Sequence, residues 1–89
     1  MRMKVVAKAI KMIAFFEDQG QMTPIRFRIE VEGQEAVTIK VDQICSVNLE
    51  KLAGNKMYVF KCQSVIDGIE RPYELKYDLA TCRWMLFKI

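Results

Sequence analysis

Tyr58-Val59-Phe60-Lys61-Cys62-Gln63-Ser64-Val65-Ile66-Asp67-Gly68-Ile69-Glu70-Arg71-Pro72-Tyr73-Glu74-Leu75-Lys76-Tyr77 is the stretch that decides the fold class. Asp67-Gly68 suits a two-residue hairpin turn, because both central positions of such a turn need positive φ. Counting outward from it pairs Ile66 with Ile69, Cys62 with Tyr73, Phe60 with Leu75 and Tyr58 with Tyr77 on one face. The other face pairs Lys61 with Glu74 and Val59 with Lys76, so one side reads as core and the other as mixed surface. Pro72 falls opposite Gln63 at a non-hydrogen-bonded pair, where its missing N–H points away from this partner. The hairpin is antiparallel, and the fold class it sets is all-β.

Earlier in the chain, Ile25, Phe27, Ile29 and Val31 alternate with Arg26, Arg28, Glu30 and Glu32, and Val37, Ile39 and Val41 alternate with Thr38, Lys40 and Asp42. Period-two alternation marks half-buried strands. A three-residue loop at Gly33-Gln34-Glu35 sets Val31 against Val37, Ile29 against Ile39 and Arg26 against Asp42. After Tyr77, a connection at Asp78-Leu79-Ala80-Thr81 leads to a last strand, Cys82 to Ile89. Pairing Tyr77 with Cys82 sets Leu75 against Trp84 and Tyr73 against Leu86, and leaves Met85, Phe87 and Ile89 on the outer face.

Two readings stay open for the first segment, residues 3–16. Lys4, Lys8 and Lys11 share a helical stripe, which allows an amphipathic helix. A strand fits its Val/Ile/Phe content and lack of caps better. As a strand, Ile10, Met12, Ala14 and Phe16 pair with Val31, Ile29, Phe27 and Ile25, Lys11 faces Glu30, and Ile13 and Phe15 point outward. Residues 47–55 read as a connection, with one helical turn near 49–53 ended by Gly54-Asn55. The expected architecture is a single β domain over residues 1–89. It is a six-stranded antiparallel meander forming a small barrel or strongly bent sheet.

The strings Pro24-Ile25-Arg26-Phe27-Arg28, Leu52-Ala53-Gly54-Asn55, Cys62-Gln63-Ser64, Tyr73-Glu74-Leu75-Lys76-Tyr77 and Thr81-Cys82-Arg83-Trp84 resemble short uncharacterised proteins of clostridia-like Gram-positive bacteria. That resemblance implies no activity and no site.

Several chemistries have no residues to carry them. Without histidine there is no imidazole base or metal ligand, and the three cysteines form no CxxC pair. The four glycines are isolated, so no phosphate-cradling loop exists. Glu70 and Glu74 lie on an open hairpin face rather than in a cleft. Cys62 and Cys82 fall on the aromatic face, where a thiol packs as a small hydrophobe with a raised pKa. No catalytic, cofactor or metal site is expected. Lys8 and Lys11 break the apolar run that a signal peptide would need, and no run approaches the roughly 20 residues that span a bilayer. A cytoplasmic protein is the expectation.

What remains is binding. Ile13 and Phe15 on the first strand and Met85, Phe87 and Ile89 on the last form a candidate interface with a protein partner or a second copy, unless the two strands cover each other. Arg26, Arg28 and Lys40 share the face of Ile13 and Phe15, with Lys4 and Lys8 further along the first strand. Together they form a candidate single-stranded nucleic-acid surface. Glu30 and Asp42 on that face and a formal net charge of only +3 weigh against it.

Overall fold

The computed structural model describes residues 3–30 and 32–89. The described residues form β1 (Val5–Ala9), β2 (Lys11–Phe16), β3 (Met22–Ile29), β4 (Val37–Lys40), β5 (Gln43–Leu52), β6 (Asn55–Ile66), β7 (Ile69–Asp78) and β8 (Arg83–Lys88). They make two antiparallel sheets, one of five strands in the order β1-β8-β7-β6-β5 and one of three in the order β2-β3-β4.

The β6–β7 hairpin has the register that its turn dictates, from Ile66↔Ile69 to Tyr58↔Tyr77. Asp67 and Gly68 both have positive φ, 53° and 76°. β8 ends opposite Glu74, short of Pro72, so no partner on that side needs the missing N–H either.

The six-stranded barrel is not what forms. The first segment is a strand, but it breaks at Ile10 into β1 and β2, which belong to different sheets. Val41-Asp42 forms a second corner between β4 and β5. Backbone bonds hold both corners: Ile10 N–H donates to Trp84 O at 3.2 Å, and Val41 N–H to Ile25 O at 2.9 Å. Strands that switch sheets at bends make corners of this kind. Beyond them the ladders do not meet.

The helical turn near 49–53 is replaced by strand. β5 runs on to Leu52 and turns into β6 through Ala53 and Gly54, at φ 50° and 81°. A bulge at Cys45 and an alanine where glycine or asparagine is usual conceal that hairpin in the sequence.

Three expected registers slip by two residues. Phe27 rather than Ile29 meets Ile39, Met12 meets Phe27, and Leu75 and Tyr77 meet Leu86 and Trp84. A slip of two keeps every side chain on its own face, whereas a slip of one would invert them. The centre of the core is therefore made of expected residues with changed partners, while Phe16, Val37 and Ile69 at strand ends stay exposed. Two further departures follow from local geometry. Cys82 leaves the aromatic face for an exposed turn at φ 58°. Ile25 is the extra residue of a bulge opposite Ile13 and Ala14, and it is exposed. The expected contacts of Val31 lie outside the described residues.

Phe27, Phe60, Tyr73 and Leu75 are each at most 1% exposed and form the centre of the core between the sheets. Phe27 and Tyr73 join the layers with ring centroids 5.5 Å apart, and Trp84 packs on Phe60 and Tyr77 at 5.3 and 4.9 Å. A buried polar knot lies beside them. Ser64 Oγ donates to Lys40 O (2.7 Å), accepts from Asp42 N–H (3.2 Å) and bonds Tyr73 Oη (2.6 Å). A hydroxyl has one donor and two acceptor positions, so this serine is saturated when the tyrosine donates. Asp42 Oδ2 accepts the Val65 N–H at 2.8 Å, which completes the tie between the β4–β5 corner and β6.

Candidate functional site

The outer face of the three-stranded sheet carries the densest group of sequence-predicted site residues. The ladder sets Ile13, Arg26 and Lys40 in one row and Lys11, Arg28 and Thr38 in the next. All are exposed, and Phe15 extends the face along β2. Ile13 is 63% and Phe15 55% exposed. A shallow depression of about 350 Å³ lies on this face, lined by Lys11, Ile13, Arg26, Arg28 and Thr38 among others.

The charge pattern differs from the expected one. Asp42, expected opposite Arg26, is at the corner accepting the Val65 N–H, and Lys40 stands across from Arg26 instead. Lys11 stands across from Arg28, and its ammonium reaches Glu30 diagonally at 2.8 Å. That bond and the Lys11 charge hold the Glu30 carboxyl below the usual carboxylate range. Like charges directly opposed across a ladder destabilise it. This face has two such pairs, and among the described residues Arg26, Arg28 and Lys40 are in no ion pair.

Lys4 and Lys8 do not join this face. They lie on or beside β1 at the edge of the five-stranded sheet, with Lys8 across from Leu86 and Lys4 N–H bonded to Ile89 O. Arg2 lies outside the described residues. The structure also separates the two halves of the expected apolar interface. Met85 and Phe87 belong to the outer face of the five-stranded sheet, away from Ile13 and Phe15, and both are half-buried. Their cover is internal. Lys76, only 9% exposed, places its ammonium 3.7 Å from the Phe87 ring centroid and 3.2 Å from both Glu50 carboxylate oxygens. Ile89 packs against the core. Lys11 shares the parity of Ile13 and Phe15, and its expected pair with Glu30 is present, reached diagonally rather than straight across the ladder.

Among the described residues no three Cys, Asp or Glu side chains cluster as a metal site, and no helix is long and apolar enough to cross a membrane. Burial pushes the Cys62 thiol up to about 12, and a protonated thiol is a poor nucleophile. Cys45 and Cys82 are exposed. Titration of the native protein with a thiol reagent is expected to modify Cys45 and Cys82 quickly and Cys62 only on unfolding. Rapid reaction of all three would contradict the placement of Cys62.

Comparison with known protein families, curated proteins and solved structures found no match.

Proposed function

We propose that this chain is a non-catalytic binding module that works in the cytoplasm and holds single-stranded nucleic acid on the outer face of its three-stranded sheet. One observation carries the reading: Arg26 and Lys40 stand directly opposed with no carboxylate, beside exposed Ile13 and Phe15. Stability alone would favour an acid at one of those two positions. A strand of phosphates supplies the missing negative charge, and Phe15 supplies a ring on which a base stacks. The three unpaired cations of the face, Arg26, Arg28 and Lys40, match a short stretch of backbone and read no sequence, so the mode is electrostatic and sequence-tolerant.

The test is titration of labelled oligothymidylate at several salt concentrations. If the three unpaired cations meet phosphates, log affinity falls against log salt with a slope of about −2. Phe15→Ala is expected to weaken binding by roughly 1–3 kcal/mol. Lys40→Glu sets opposite charges face to face on the ladder, so it is expected to raise stability by up to about 1 kcal/mol while binding falls. No binding at low salt overturns the reading. So does binding that is indifferent to both Phe15→Ala and Lys40→Glu.

A further inference from the structure

β5 is an edge strand, and no backbone bond of the described residues reaches its outer side between Cys45 and Leu52. The side of the strand that stays unpaired follows from its turn. Ala53 and Gly54, both at positive φ, make a two-residue turn whose closing pair Leu52↔Asn55 exchanges both backbone bonds. Bonded pairs then alternate, so Leu52, Glu50 and Asn48 bond to β6. Val47, Leu49 and Lys51 direct their N–H and C=O groups outward.

The side chains of the same strand are incompletely covered. Val47 and Leu49 oppose Phe60 and Tyr58 on the core side of the large sheet, yet they are 49% and 47% exposed. The small sheet ends short of them and leaves a notch of about 440 Å³ lined by residues 19–23, Val47, Tyr58 and Phe60. This edge is long, apolar on one face and free of proline, a combination that soluble proteins usually protect.

We infer that a second copy of this chain covers it, pairing β5 with β5 in antiparallel sense about a two-fold axis at Asn48. Only residues with outward backbone groups can form the bonded pairs; this allows an axis at Val47, Asn48 or Leu49 near the middle of the strand, whereas an axis at Glu50 would set two carboxylates face to face. At Val47, Leu49 would face Cys45; at Leu49, Val47 would face Lys51. At Asn48, Val47 of each copy meets Leu49 of the other and closes over the notch. Glu50 faces Ser46, Lys51 faces Cys45, and no charge meets its own kind. The interface is isologous and closes, so it gives a dimer and not a fibre. It leaves the cationic face of each copy free, because that face belongs to the other sheet.

The register can be tested by cross-linking. In a Cys45→Ser/Cys82→Ser background, Asn48→Cys places two thiols across the two-fold axis as a directly opposed, non-bonded strand pair, within disulfide reach. It is expected to oxidise to a covalent dimer, whereas Ser46→Cys, which faces Glu50 of the second copy, is expected to stay monomeric. Sedimentation should show a concentration-dependent dimer for the unmodified chain up to about 200 μM, a range that captures weak specific association. Leu49→Lys should abolish it without altering the circular dichroism spectrum. A strict monomer over that range overturns the inference. Equal cross-linking of Asn48→Cys and Ser46→Cys, or a dimer that survives Leu49→Lys, overturns it as well.

Discussion

Phe27→Ala is expected to remove roughly 3–5 kcal/mol of folding free energy, the range for deleting a buried phenyl ring. Small domains have about 5–15 kcal/mol in total, so the variant should be close to unfolding at moderate temperature. The position explains the size of the effect. Phe27 sits on the central strand of the small sheet between Met12 and Ile39, is 1% exposed, and packs on Tyr73 of the large sheet. The small sheet has strands of only 6, 8 and 4 residues, and Phe27 is its fully buried aromatic contact with the large sheet. Deletion of this ring should therefore release β2, β3 and β4 before the β6–β7 hairpin. A thermal melt measures the loss, and amide exchange should show protection falling first in residues 22–29 and 37–40. A loss below about 1 kcal/mol, outside the range for a buried aromatic, would show that Phe27 does not hold the sheets together.

Removal of the polar knot is the second large effect. Ser64→Val strips partners from the Tyr73 hydroxyl, the Lys40 carbonyl and the Asp42 N–H at once, inside a site where Ser64 is 1% exposed. Each buried group left unmade costs about 1–3 kcal/mol, so a total of roughly 3 kcal/mol is expected even after local relaxation. Tyr73→Phe removes one bond and leaves Ser64 bonded to the corner, so its cost should be nearer 1 kcal/mol. The double variant should lose less than the sum, because the two groups share a bond.

The same tyrosine gives the fold an alkaline limit. Burial pushes the Tyr73 phenol and the Cys62 thiol each up to about 12, from ordinary values of 10 and 9. Both are neutral when protonated, so folding favours the protonated form. Their stabilisation is complete below about pH 9, the thiol's ordinary value, and is lost as pH rises toward 12. For Tyr73 alone this is on the order of 2 kcal/mol. Chemical denaturation at pH 8 and pH 11 measures it, and Tyr73→Phe should flatten part of the difference. An equal pH dependence in that variant would assign the alkaline loss to other groups.

Much of the candidate site was legible as parity. Ile13, Phe15, Arg26, Arg28 and Lys40 share a face because a strand alternates its side chains, and a register error of two residues does not disturb that. Which acids neutralise the face was not legible. Arg26–Asp42 followed from a loop counted at three residues, whereas the connection from Ile29 to Val37 is longer and sets Lys40 there. Nothing local in residues 30–36 counts the register in the way that Asp67-Gly68 does. The unprotected edge was missed for a related reason. The Cys45 bulge breaks the alternation of β5, and Ala53 at positive φ hides its turn.

The sequence by itself determined what depends on near neighbours: an all-β chain, the complete β6–β7 register, and the residues at the centre of the core. Turn chemistry and side-chain alternation act over a few residues, so they can be read in order along the chain. Only the tertiary structure decided how the strands divide into two sheets, where β1–β2 and β4–β5 bend, and that Asp42 serves a corner while Arg26 faces Lys40. Those outcomes depend on contacts between residues distant in sequence, the Phe27–Tyr73 packing and the Ser64 knot above all. Alternation leaves such contacts unspecified, because it repeats every two residues and is satisfied equally well by registers two apart.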